Sequence, residues 1–186
     1  MAVIKKMNIS YIELLFSDYV IINPKYEKII KVLFEKREEI ARAHQNQFVR
    51  CLAGMSMEKR KALCHPYPNL IEKIEKYGYD GKQLSHCARL NEFIIKYMSG
   101  IPVKDCYKAT DKEKIMNYKK QLVPNGTQIM TQKDAIAACA YYDDNTKYMK
   151  ELFINSHNEY KDEKIYQLLD DVQYQLLKKK FKEDII

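Results

Sequence analysis

The sequence predicts an all-α protein, a multi-helix bundle with little or no sheet, and three observations carry that expectation. Apolar residues recur at helical spacing, as in the segment from Asn23, where Tyr26, Ile29, Ile30, Leu33, Phe34, Ile40 and Ala41 share one stripe. Helix-starting and helix-stopping residues bracket the periodic segments. No set of runs alternates apolar and polar residues in the manner of half-buried strands. At 186 residues the chain is long enough for one domain, or a small pair of lobes, with a real core.

The elements follow in order. "NISYIELLF" places Ile9, Ile12, Leu15 and Phe16 on a helical face, and "YVII" after it is a short apolar linker that could be extended. Asn23 is the expected N-cap of the long stripe, with Pro24 at its first helical position. A helix through "FVRCLAGM" and a short one from Ser56 to Leu63 come next. Pro68 opens a helix that runs to Tyr77, which Gly78 ends. The next helix starts at Asp80 and keeps Leu84, Cys87, Ala88, Ile94 and Ile95 in its pattern until Gly100 and Pro102 stop it. "DKEKIMNYKKQL" predicts a short helix and "VPNGTQ" a turn. In the longer helix "TQKDAIAACAYYDDNTKYMKELF", Thr131 and Asp134 resemble a capping box. The last, "EKIYQLLDDVQYQLLKKKF", ends in Lys178 to Lys180, a cationic run suited to a helix C-terminus.

With 46% apolar and 31% charged residues, the composition is that of a folded protein and excludes a disordered one. The net charge of +7 and pI of about 9.0 favour anionic partners such as nucleotides, RNA or DNA. Acids interleave the bases throughout, so charge alone does not specify nucleic acid. Five cysteines, Cys51, Cys64, Cys87, Cys106 and Cys139, form no C-x-x-C pair and read as reduced core thiols. With no signal-peptide pattern and no apolar run near the roughly 18 residues of a membrane span, the expected address is the cytoplasm, with no membrane partner.

The densest chemistry lies in "YGYDGKQLSHCARL". Asp80 as N-cap with Gln83 three residues on makes a capping arrangement. From that start Lys82, His86 and Arg89 fall at i, i+4 and i+7 and share one stripe. Like charges one turn apart repel, and the positive end of the helix dipole adds to the repulsion. Acids elsewhere in the bundle or an anionic ligand would relieve it. Metal binding finds little support: Cys64-His65 and His86-Cys87 are adjacent pairs, about 100° apart on a helix, and lack zinc-site spacing.

The same residues resemble the helical signature Y-G-Y-[DN]-x-K-x-x-x-H-x-x-R-L of predicted minimal nucleotidyltransferases of the DNA polymerase β superfamily. The match takes in Tyr77, Gly78, Tyr79, Asp80, Lys82, His86, Arg89 and Leu90. "IELLFSDYVIINPKYE" is similar to the family's segment joining the catalytic palm to the helical part, and "KKQLVPNGTQIMTQKDAI" stands in the place of a looser helix-turn-helix. The resemblance implies a helical part that closes over a nucleotide or a nucleic-acid end. Lys82, His86 and Arg89 would then contact phosphate or substrate, Tyr77 and Tyr79 would stack or pack at the cleft, and Gly78 and Asp80 would be structural.

The family's palm carries G-[GS] followed by D-x-[DE] on a strand, whose carboxylates hold Mg²⁺. That motif does not occur here; Asp143-Asp144 is adjacent, not alternating. The expectation is therefore no catalytic residue and no cofactor in this chain, with Mg²⁺ entering only through a palm supplied by a partner. Residues 1–22 would be a remnant of the palm-to-helical connection and 23–186 the helical domain. A separate palm chain or a second copy would cover the apolar surface of "YIELLF" and "YVII".

Two rivals come from other classes. All-α ribonucleases of the HEPN type carry R-x(4-6)-H on a helix, and Arg37 to His44 and Arg60 to His65 fit that spacing. Neither has the polar residue usual after the arginine, since Glu38 and Lys61 stand there. A non-catalytic interaction scaffold is the other.

Overall fold

The computed structural model describes residues 1–122 and 126–181. These form an all-α structure: α1 (Ala2–Lys5), α2 (Ile9–Leu14), α3 (Glu27–Glu35), α4 (Arg37–Arg42), α5 (Gln45–Ala62), α6 (Ile71–Tyr77), α7 (Gly81–Met98), α8 (Val103–Cys106), α9 (Lys112–Lys120), α10 (Gln132–Ser156) and α11 (Glu163–Phe181). Among the described residues the only β pairing is an isolated antiparallel bridge between Leu122 and Gln128. None of these helices is long and apolar enough to cross a membrane. The chain divides into two compact units, Met1–Cys51 with His157–Ile186, and Leu52–Ser156.

In the first unit, Asn8 caps α2 by accepting from the Ser10 N–H at 3.1 Å. Ile12 and Ile40 are fully buried there, and α11 contributes Ile165, Leu169 and Val172 to the interior. The expected start at Asn23 is corrected. Its Oδ1 accepts from the Lys25 N–H at 3.0 Å and closes a turn, and α3 begins only at Glu27. The long stripe is also two helices, because Lys36 (φ −99°, ψ 12°) leaves helical geometry. Glu38 and Glu39 then occupy the first turn of α4, where carboxylates suit the helix dipole. Tyr19 and Ile21 of "YVII" lie outside any helix and are 95% and 102% exposed.

In the second unit α7 packs against α9 and α10. Its buried face carries Leu84, Cys87, Ile94 and Tyr97. The two helices expected between residues 48 and 63 are one, the continuous α5. Gly54 alone would weaken it, by about 1 kcal/mol, and burial of Val49, Leu52 and Ala53 offsets that. The helix expected to open at Pro68 begins at Ile71, after a turn in which the Leu70 N–H donates to Tyr67 O at 2.7 Å. A short α8 follows Pro102, where none was expected. The predicted turn "VPNGTQ" falls partly outside the described residues, at 123–125; beyond them Gly126 has φ +82°, and Leu122 and Gln128 pair. Thr131 Oγ1 accepts from the Asp134 N–H at 3.1 Å, one half of a capping box, while its hydroxyl donates to Asp134 Oδ2 at 2.7 Å.

Candidate functional site

The link between α6 and α7 is held by main-chain contacts that leave little freedom. Gly78 ends α6 in the left-handed conformation, φ +79°, its N–H donating to Ile74 O at 2.7 Å. Three glutamine amides then take three consecutive carbonyls: Gln128 Nε2 donates to Tyr77 O (3.1 Å), Gln132 Nε2 to Gly78 O (2.7 Å) and Gln121 Nε2 to Tyr79 O (2.8 Å). The Asp80 N–H donates to Leu63 O at 2.7 Å. The turn is thus satisfied group by group, as buried backbone must be. Sequence reasoning missed the glutamines, which lie more than forty residues downstream.

Tyr79 is buried, with its ring in a core cluster with Leu63, Leu84, Cys87, Ala135 and Cys139. It therefore adopts the packing alternative. Tyr77 is half-buried, with Lys76 Nζ 5.1 Å from its ring centroid.

Asp80 caps α7, its Oδ1 accepting from the Lys82 N–H at 3.1 Å. The same carboxylate receives Lys73 Nζ at 2.6 Å and Gln83 Nε2 at 3.0 Å. Gln83 thus bonds the cap side chain, whereas a capping box would have it reach the cap N–H. Burial acts to raise the Asp80 pKa, but Lys73, the Lys82 N–H and Gln83 outweigh it and hold the carboxyl below its usual value. Its charge is committed to Lys73.

The stripe residues Lys82, His86 and Arg89 do lie along α7, Lys82 exposed and the other two half-buried. Lys59 of α5 joins them, a residue that spacing along α7 could not reveal. Among the described residues Lys59, Lys82 and Arg89 have no carboxylate within 4.0 Å, the limit for an ion pair. Burial, followed by the charges of Lys59, Arg89 and Lys82, pushes the His86 pKa down to about 4, so the ring is neutral at pH 7. The result is a cluster of positive charge around a neutral imidazole, able to accept an anion by charge and by hydrogen bonding.

The next cation along α5 behaves oppositely. Arg60 Nη1 reaches Asp143 Oδ2 (3.2 Å) and Asp144 Oδ1 (2.7 Å), and Lys147 Nζ also pairs with Asp143 (2.7 Å). Asp143 is fully buried, so those cations serve a structural pair.

The second arginine–histidine pair is accordingly occupied: Arg60 by these acids, and His65 by a T-shaped contact with Tyr67 at 4.3 Å. In the first unit, Arg37 lies over the Phe16 ring, and His44 bonds Glu159 Oε1 at 2.7 Å. Arg50 forks onto the Glu159 carboxylate with two 3.0 Å bonds. Arg50 and His44 together hold the Glu159 pKa down at about 2.

A cavity of about 270 Å³, lined by Asp111, Glu113, Lys114, Asn117, Tyr118 and Ile129, contains none of the stripe residues. Among the described residues no group of three or more His, Cys, Asp or Glu is placed to hold a metal. No protein-family model, curated protein or solved structure matches this chain.

Proposed function

We propose that the second unit binds the phosphates of a nucleotide or of a nucleic-acid end through Lys59, Lys82, His86 and Arg89. One observation carries this reading: Asp80, the acid at the head of α7, is paired with Lys73, and the three cations Lys59, Lys82 and Arg89 have no ion-pair partner among the described residues. The resemblance of "YGYDGKQLSHCARL" to the helical signature of minimal nucleotidyltransferases supports the same ligand class. In this reading the chain does not transfer nucleotides by itself. A palm with metal-binding carboxylates, from another chain, would supply Mg²⁺ and the in-line chemistry. Residues 1–22 are then the connection toward that palm.

The test is thermal unfolding with and without each nucleoside triphosphate and a short RNA, in wild type and in a Lys82/His86/Arg89→Ala variant. Binding to the folded state raises the midpoint by mass action. A rise in wild type that the variant loses supports the reading, and equal behaviour of the two proteins overturns it. Transfer of a labelled nucleotide by the pure chain with Mg²⁺ would overturn its inactivity alone.

A second reading has an observation of its own in the first unit. Tyr11, Leu14, Tyr19, Val20 and Ile21 are 46%, 59%, 95%, 42% and 102% exposed within a short span, which favours a surface covered by a partner chain or a second copy. Light scattering over a concentration series tests self-association, and a monomer at every concentration removes the second copy.

A further inference from the structure

Two thiols in the second unit form a pair that the proposed anion site does not use, although Cys87 directly follows His86. Cys87 of α7 and Cys139 of α10 are both fully buried, and their Sγ atoms lie 3.2 Å apart. We propose that this pair is a redox-modification site, at which hydrogen peroxide forms a disulfide joining α7 to α10.

The hydrogen bonds set the direction of attack. Cys139 Sγ donates to Cys87 Sγ, and Cys87 Sγ donates to Ser56 O at 3.5 Å. Cys87 sulfur is therefore the acceptor within the pair, the one better able to carry a thiolate. The bond from Cys139 holds the Cys87 pKa below the usual thiol value, against burial and the charge of Asp143. The same contact, with burial, pushes Cys139 upward.

The Cys87 thiolate attacks one oxygen of the peroxide. The O–O bond breaks, hydroxide leaves and takes up a proton as water, and Cys87 becomes a sulfenic acid. Cys139 sulfur then attacks Cys87 sulfur, the S–S bond forms, and the sulfenic hydroxyl leaves as a second water with the Cys139 proton. Two thiols lose two electrons in all, and one peroxide is reduced to two waters. Closing from 3.2 Å to a bonded pair needs an approach of about 1.1 Å. Burial of both sulfurs makes entry of the peroxide the slow event.

The proposal does not depend on the anion site, because its readout is covalent. The full chain is treated with hydrogen peroxide under native conditions, quenched, denatured, and its thiols counted and mapped by mass spectrometry without reductant. Of the five cysteines, three remain titratable, and one linked peptide pair joins Cys87 to Cys139 and separates with dithiothreitol. A Cys51/Cys64/Cys106→Ser variant gives the same link, and Cys139→Ser accumulates oxidised Cys87 without it. The proposal is overturned if both cysteines stay titratable, if Cys87 passes to sulfinic acid in wild type without a link, or if the link joins another cysteine.

Discussion

Gln121 Nε2 donates to the main-chain carbonyl of Tyr79 at 2.8 Å, joining residues 42 positions apart inside the second unit. Gln121 is fully buried and sits at φ +64°, a conformation that a non-glycine residue adopts at some cost. Its amide is one of three that hold the turn ahead of α7. Gln121→Leu keeps the apolar volume but leaves the Tyr79 carbonyl unpaired. The expected loss is about 1–3 kcal/mol of stability, read from urea unfolding midpoints.

Gly81 faces the same wall. A Cβ there would collide with the main-chain carbonyl oxygen of Tyr118 and with the Gln121 side chain. Main chain cannot swing aside as a side chain can, so Gly81→Ala is expected to cost about 1–3 kcal/mol. At Gly78 the obstacle is the Gln132 side chain at 2.9 Å, with φ +79° adding backbone strain. Gly126→Ala has φ +82° but open space, so it reports the backbone cost alone. Thermal unfolding of the three variants should leave Gly126→Ala the mildest.

Asp80 contributes acid-sensitive stability. Its folded pKa lies below the ordinary value of 3.8, so the unfolded chain binds its proton first as pH falls. The stabilisation is fully present above about pH 4 and is lost as pH drops through the folded pKa. Asp80→Ala removes the cap and strands Lys73, at an expected cost of about 2–4 kcal/mol at pH 7. Asp80→Asn should make the acid limb of the stability curve shallower, and an unchanged limb would refute the pairing with Lys73.

His86 acts over a higher window. Its folded pKa of about 4 lies below the ordinary 6.5, so stability is unaffected above pH 6.5, declines as pH falls toward 4 and levels below that. A fully buried ring with this shift would cost about 3 kcal/mol, and solvent screening at this half-exposed site reduces that to about 1–2 kcal/mol. His86→Gln should flatten the decline between pH 6.5 and 4 in chemical unfolding.

An anion seated on the stripe would raise the His86 pKa by offsetting Lys59, Arg89 and Lys82. Binding then takes up a proton and tightens as pH falls through the bound-state pKa toward the free-state value of about 4. Titration of a nucleoside triphosphate by calorimetry in two buffers of different ionisation enthalpy measures that uptake. Proton uptake in wild type that vanishes in His86→Gln is the expected result.

Much of the helical order was legible because its signals are local. Asn8, Asp80, Asp111 and Thr131 cap α2, α7, α9 and α10, and Gly78 ends α6, each through atoms within four residues. Where local signals competed, the sequence misled. Asn23 and Pro24 look like a helix start, yet the Asn23 side chain closes a turn first. Gly54 and Ser56 look like a break, yet burial on both sides carries α5 through them.

By itself the sequence determined the all-α class, the starts of α7, α9 and α10, the end of α6, and the alignment of Lys82, His86 and Arg89 on one stripe, since each follows from periodicity and capping within a few residues. Only the tertiary structure decided the rest. It directed Lys73, and no stripe cation, onto Asp80, and brought Lys59 of α5 to His86. It also set three glutamines on the Tyr77–Tyr79 carbonyls and placed Cys87 against Cys139. The reason is physical: helix periodicity tells which side chains share a face, but which distant charge or amide meets that face depends on how the helices pack.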